Sequence, residues 1–216
     1  MSKFTIILTF LLFLYTSLAS TLTETNLIDN LGSALTDLSQ EITIVSGIQR
    51  LSWLGSVEFI FTASAFIILY LMYKRYKAWA FFFFVISVGG IILNYLLKVI
   101  FQRQRPGTER LISFFNIEFE LASYSFPSGH TMRITILCLF LIYVIKHFQV
   151  QAFSKGVLMS LATVPIVIVG LSRLYLDAHY LTDVIAAISI SIVWFGVLEK
   201  MNIYSRIKNM RMSRSQ

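Results

Sequence analysis

The chain has 216 residues, of which 56% are hydrophobic and 13% charged, against about 25% charged in a typical soluble domain. That balance excludes an ordinary soluble enzyme and points to one compact membrane domain, residues 1–216, whose core is made by helices packing in lipid. The net charge of +7 sits in clusters beside apolar runs and shows no aromatic-basic nucleic-acid pattern, which fits anionic headgroups and argues against a nucleic-acid partner.

Residues 4–19 are apolar after Lys3 and close on Ser17-Leu18-Ala19-Ser20. They read as a retained first helix or as a cleaved secretory signal, and the retained helix is preferred. Residues 20–50 form a polar outer segment with Glu24, Asp29, Asp37 and Glu41. Within it Leu27, Leu31, Leu35 and Leu38 recur at helical spacing, which predicts an amphipathic helix lying on the membrane surface. A second span runs from about Trp53 to Tyr73 and contains Glu58. A basic turn, Lys74 to Lys77, leads to a third span from about Ala78 to Ile100, in which Gly89-Gly90 permits close helix approach.

Residues 101–126 are polar again, with Arg103, Arg105, Glu109, Arg110, Glu118 and Glu120 among Phe114, Phe115, Phe119 and Tyr124. Aromatics beside charges fit a segment at headgroup level. The fourth span is expected over about Pro127–Phe148, the fifth over Val157–Tyr175 and the sixth over Leu181–Leu198, with Cys138 as a packing residue. The expected fold is therefore all-α, a polytopic bundle of about six transmembrane helices with a short amphipathic outer segment. Lys3, the Lys74–Lys77 turn, Lys146, Lys155 and the tail after Leu198 hold 11 of the 18 basic residues. The positive-inside bias then makes both termini and the tail of residues 201–216 cytoplasmic, and turns the loops after the third and fifth spans outward.

Three short motifs fall at those outward ends. Lys98 and Arg105-Pro106 are seven residues apart, an advance of about 10.5 Å and almost two helical turns, so a continuous helix would carry both cations on one face. Pro127-Ser128-Gly129-His130 opens the fourth span, where free helix-start N–H groups suit an anion and His130 is placed to protonate a leaving oxygen. Ser172-Arg173, with His179 and Asp183, links the fifth and sixth spans. On a helix, His179 and Asp183 would lie about 5–6 Å apart at Cβ. The carboxylate would hold one imidazole nitrogen and leave the other to attack, while Arg173 offers a planar fork for phosphate oxygens. Each motif alone also reads as charges snorkelling to the interface or as a structural histidine.

Together the motifs, Lys-x6-Arg-Pro, Pro-Ser-Gly-His and Ser-Arg-x5-His-x3-Asp, resemble those of the type 2 phosphatidic acid phosphatase superfamily over roughly residues 50–200. The resemblance implies a six-helix membrane phosphatase that works without metal or other cofactor. It makes His179 the nucleophile, Asp183 its orienting partner and His130 the leaving-group acid, with Lys98, Arg105, Ser128, Gly129 and Arg173 holding the phosphate. Arg133, one turn after His130, departs from the neutral residue expected there. It reads as a contact to a second phosphate or headgroup, an interface residue, or a partner of Asp177 or Glu58, and Asp177 as a turn-former.

The leading expectation is outward-facing hydrolysis of a membrane lipid phosphate: undecaprenyl diphosphate, phosphatidylglycerol phosphate or phosphatidic acid. The chain's small size and lack of appended domains resemble bacterial members and favour the first two. A lipid phosphotransferase is the alternative within enzymes. The motifs also occur in vanadate haloperoxidases, but the spans argue against a soluble oxidase. A lipid transporter or scramblase would use a charged groove, yet has no evident need for the two histidines.

Overall fold

The computed structural model of the chain describes residues 1–22, 26–36, 42–107, 112–114, 117–119, 124–147 and 152–201. Helix α1 is Lys3–Leu22, α2 Leu27–Thr36, α3 Ile42–Ser52, α4 Val57–Tyr73 and α5 Lys77–Phe101. After a small hairpin, β1 Ile112–Phe114 paired antiparallel with β2 Ile117–Phe119, come α6 Gly129–His147, α7 Ala152–Tyr175 and α8 Leu181–Lys200. The all-α membrane bundle expected from the apolar runs is what forms. The hairpin falls in the expected headgroup-level segment, whose remaining residues 108–111, 115–116 and 120–123 lie outside the described ones, as does the tail after Met201.

Among the described residues five helices are long and apolar enough to cross a bilayer: α1, α5, α6, α8 and residues 154–175 of α7. A bent pair of helices makes a sixth candidate span. Val45–Gly55 and Val57–Tyr73 meet at a bend of 41°, so the second apolar run starts its straight helix at Val57 and not at Trp53. The cause is local: a 3-10 turn over Trp53–Gly55 ends at extended Ser56, whose Oγ accepts the Phe59 N–H at 3.1 Å and restarts the helix. The 17 residues of α4 rise only about 26 Å, short of the ~30 Å hydrocarbon layer, so the bent lead-in completes the crossing.

Helix α6 is the centre of the bundle, packed on α7, α8, α5 and α4, while α1 lies along α8 and buries Phe13, Thr16 and Ser17. Phe82, Phe83 and Ile86 of α5 meet Met132, Ile136 and Phe140 of α6 in the core, with Cys138 buried beside them. Helix α2 turns Leu27, Leu31 and Leu35 outward and buries Asp29 and Gly32 against α7 and α8. An amphipathic helix with its leucines towards lipid and its polar edge on the protein suits the membrane surface; Leu38 lies outside the described residues.

The Gly89-Gly90 pair lets α5 approach α6 and α8: a Cβ on Gly89 would overlap the Trp194 ring, and one on Gly90 the Ile136 side chain. Trp194 has little freedom to move, because its Nε1–H donates to the Ile86 carbonyl at 3.0 Å. Gly89→Val is therefore expected to overpack the interface and cost about 1–3 kcal/mol, read as a lower unfolding temperature in detergent. Gly47→Ala, inside α3 and meeting nothing within 4 Å, should not lower that temperature.

Candidate active site

Four helix ends carry the motif residues: the C-termini of α5 and α7 and the N-termini of α6 and α8. Alternating helix direction puts these ends together, with the Lys74–Tyr76 turn at the other end of α5.

Lys98 is buried in the last turn of α5 and donates to the Tyr124 carbonyl, and Asn94, one turn earlier, donates to the Pro127 carbonyl at 3.2 Å. A shared helical face for Lys98 and Arg105 does not form. The helix stops at Phe101, and Gln102 caps it in the left-handed region with φ 46°. Arg105 reaches the site from the segment beyond, where its Nη1 donates to the Ala178 carbonyl at 3.2 Å. The turn thus brings the two cations to one place: both act on His179.

Pro127 stands ahead of α6, after a cis Phe126–Pro127 peptide, and the helix begins at Gly129. Ser128 serves the helix start, its Oγ 2.9 Å from Thr131 Oγ1, and its N–H is taken by the Asp183 carbonyl at 3.2 Å. His130 lies against Gly55, where a Cβ would come within 2.9 Å of the His130 Cβ and carbonyl. Arg133 fastens that contact, with Nε and Nη2 donating to the Gly55 carbonyl at 3.1 and 2.9 Å and Nη2 3.4 Å from His130 Nδ1. Glu58 is exposed in the first turn of α4, near enough to act on the Arg133 charge. Asp177 is a turn-former with φ 46°, its N–H donating to the Leu174 carbonyl at 2.9 Å.

Arg173, buried in the last turn of α7, donates from Nη1 to Ser52 Oγ at 2.7 Å. His179 and Asp183 do not share a helix, because α8 begins at Leu181 after extended Tyr180. Their side chains meet nonetheless, with Nδ1 3.4 Å from Asp183 Oδ2, within ion-pair reach but without hydrogen-bond geometry. Burial pushes the His179 imidazole well below its ordinary range, and Arg105, Lys98 and Arg173 push it the same way against a backbone bond to Ser125. His179 therefore stands neutral, with a lone pair available. His130 is within the electrostatic reach of Arg133, Arg173, His179 and Arg105, so the two imidazoles share a cationic environment.

Several members of this network were read from the sequence only as parts of polar segments. Asp183 is fully buried and accepts from Arg103 at 2.8 Å, from the Tyr180 N–H at 2.9 Å and from Ser125 Oγ. Arg103 also donates to Asp29 of α2 at 2.7 Å, and the two carboxylates, working against burial, raise its guanidinium above its ordinary range. Asn94 carried a signal, a polar residue in an apolar run one turn from Lys98. Asp29 and Ser52, distant in sequence from their partners, carried none.

Residues 77–206 match the family model of the PAP2 superfamily. Over 121 residues the chain is 31% identical to phosphatidylglycerophosphatase B of Bacillus subtilis (strain 168), taking in 56% of this chain and about half, 55%, of that protein. The crystal structure of the first transmembrane PAP2 type phosphatidylglycerolphosphate phosphatase, also from Bacillus subtilis, shares the fold with a TM-score of 0.76 at 23% identity, covering 93% of this chain and 96% of that one. The Aquifex aeolicus LpxE structure overlays with a TM-score of 0.59 at 19% identity, over 83% of this chain and 99% of the other. With the family match spanning more than half the chain and the helix bundle shared, this multi-pass membrane protein belongs to the PAP2 superfamily.

Proposed function

We propose that the chain, as a single domain, is a membrane lipid phosphatase that cleaves a phosphate monoester or diphosphate through a phosphohistidine on His179. One observation carries this reading: two imidazoles within electrostatic reach of each other, one of them beside a buried carboxylate, share the fields of Arg105 and Arg173, with Lys98 also acting on His179, at a single end of the bundle. Phosphoryl transfer needs positioning and charge stabilisation above all, and three cations with the first-turn N–H groups of α6 supply both. Ser128 and Gly129 would turn those N–H groups to the phosphate. The charge is met by the protein's own cations, so the proposed reaction calls for no divalent ion.

In the first step the His179 Nε2 lone pair forms a bond to phosphorus as the bond to the leaving oxygen breaks. His130 gives that oxygen its proton, and Asp183 stabilises the positive charge on His179. In the second step His130 takes a proton from water, the water oxygen bonds to phosphorus and the phosphorus–nitrogen bond breaks, releasing phosphate. The leaving group is an alcohol for a monoester and a lipid monophosphate for a diphosphate.

Two features support a lipid substrate at the outer face. An apolar cavity of about 270 Å³ between α4, α5 and α6, lined by Ile60, Phe84 and Ile91, has Asn94 and Arg133 among its walls, and suits a hydrocarbon tail whose headgroup enters the site. The basic Lys74–Lys77 turn, Lys146 and Lys155 lie at the opposite ends of the helices, and the positive-inside bias then favours a site facing outward with both termini in the cytoplasm. The likeness to phosphatidylglycerophosphatase B favours phosphatidylglycerol phosphate, beside undecaprenyl diphosphate and phosphatidic acid, as substrate.

Purified protein in detergent with chelator is expected to release phosphate from at least one of these three lipids; release only on adding a divalent metal would reject the mechanism. His179→Ala should lose at least about 10³-fold in kcat and His130→Ala about 10²–10⁴-fold. A radiolabelled phosphoryl group trapped on the parent and absent from His179→Ala checks the intermediate. The neutral imidazole attacks, so activity is present above the His179 titration and lost as pH falls through it. The downward shift therefore places the acid limb of kcat/KM below the ordinary imidazole value of 6.5, and a limb above 6.5 would contradict it.

A further inference from the structure

Behind Asp183 lies a second carboxylate that phosphate chemistry does not by itself require. Arg103 sits between the two: Nη1 donates to Asp183 Oδ1 at 2.8 Å and Thr182 Oγ1 at 2.7 Å, and Nη2 to Asp29 Oδ2 at 2.7 Å. The guanidinium lies 3.9 Å over the Tyr180 ring, which fixes its plane. Asp29 is equally constrained. It accepts from the Thr182 N–H at 2.9 Å, Thr182 Oγ1 at 2.8 Å and Asn26 Nδ2 at 2.8 Å in addition to Arg103. Four donors fill a carboxylate's four lone-pair positions, so Asp29 has none for a substrate proton.

The charges explain why two acids share one cation. An arginine stays protonated, so Arg103 with Asp29 and Asp183 carries one net negative charge. Given wholly to Asp183, the guanidinium would cancel the carboxylate's field at His179, 3.4 Å from Oδ2. Divided with Asp29, it holds Asp183 still and leaves negative charge to meet the positive charge His179 gains on attack. A buried pair feels such a change strongly, because screening is weak away from water.

We propose that Arg103 and Asp29 are positioning residues for the His179–Asp183 couple: Arg103 orients the Asp183 carboxylate, Asp29 offsets the charge of Arg103, and α2 is thereby part of the catalytic apparatus. This rests on the reading of His179 as the nucleophile. His179 is also faced by Arg105 and Lys98 from beyond and within α5, Arg173 from α7 and His130 from α6, and all four are left intact in the test.

The chain has three histidines, so ¹⁵N-histidine labelling of the full protein in detergent follows the His179 titration without turnover, with exposed His147 as internal control. Asp29→Asn removes a negative charge and should move the His179 titration to lower pH. Arg103→Gln removes a positive charge and should move it to higher pH, and the double variant should return it towards the parent. Arg103→Lys keeps the cation without the fork, so its titration should stay near the parent's. On dioctanoyl phosphatidic acid, phosphatidylglycerol phosphate and undecaprenyl diphosphate, each single variant should lose about tenfold to a hundredfold in kcat with KM little changed for whichever lipid the parent cleaves. Shifts in one direction for both single variants, or no shift with His147 unmoved, would overturn the proposal. So would loss of the folded protein in all of them, which marks the triad as structural only. A His179→Ala variant that still turns over lipid, with the titration shifts intact, would instead reject the nucleophile and leave the charge linkage standing.

Discussion

Asp183 is a carboxylate removed from water at the first turn of a transmembrane helix, and the rest of the site is arranged around keeping it charged. An isolated ion there would cost several kcal/mol, and it persists because groups from four different parts of the chain converge on it. Arg103 from beyond α5, Ser125 from the stretch before α6 and the Tyr180 N–H from its own helix start donate to it, and the imidazole of His179 from the α7–α8 link lies within ion-pair reach. Each donor also fixes the segment that carries it. The Asp183 carbonyl in turn takes the Ser128 N–H, so the starts of α6 and α8 are tied together directly. Removing one partner of such a buried set typically costs about 3–5 kcal/mol, which is why the constellation behaves as a unit.

Opposite this anion stand cations that repel one another. Among their hydrogen bonds, Lys98 donates to the Tyr124 carbonyl, Arg105 to the Ala178 carbonyl and Arg173 to the Ser52 hydroxyl, and these neutral acceptors help to orient the three cations. For the proposed phosphate substrate, such cations would supply charge that is in position before binding. That pre-organisation is where most electrostatic catalysis originates. Burial, and after it the same cations, hold the His179 imidazole below its ordinary range, so the field that would bind substrate also favours the proposed nucleophile in its neutral form.

The membrane fold serves this arrangement through helix ends. Helices satisfy their own backbone within the hydrocarbon, and the site is built where irregular chain joins their ends. The break at Gly55–Ser56 is one such place: it shortens α4, brings the Gly55 carbonyl to Arg133 and seats Gly55 against His130. Helix α2 is another, with leucines towards lipid and Asp29 under the start of α8.

The sequence by itself determined the bundle and the identity of the motif residues. Long apolar runs can only be spans, and Lys98, Arg105, His130, Arg173, His179 and Asp183 announce themselves as ionisable groups at span ends. Tertiary structure decided how those residues meet. Periodicity put Lys98 with Arg105, and His179 with Asp183, on continuous helices, whereas left-handed Gln102 and extended Tyr180 break both, and the side chains converge by turns instead. It also decided that Asp29, Ser52 and Gly55 belong with residues more than seventy positions away. The physical reason is that helical spacing is a local rule, whereas which buried charge finds which partner depends on the packing of whole helices, and no spacing along the chain records that.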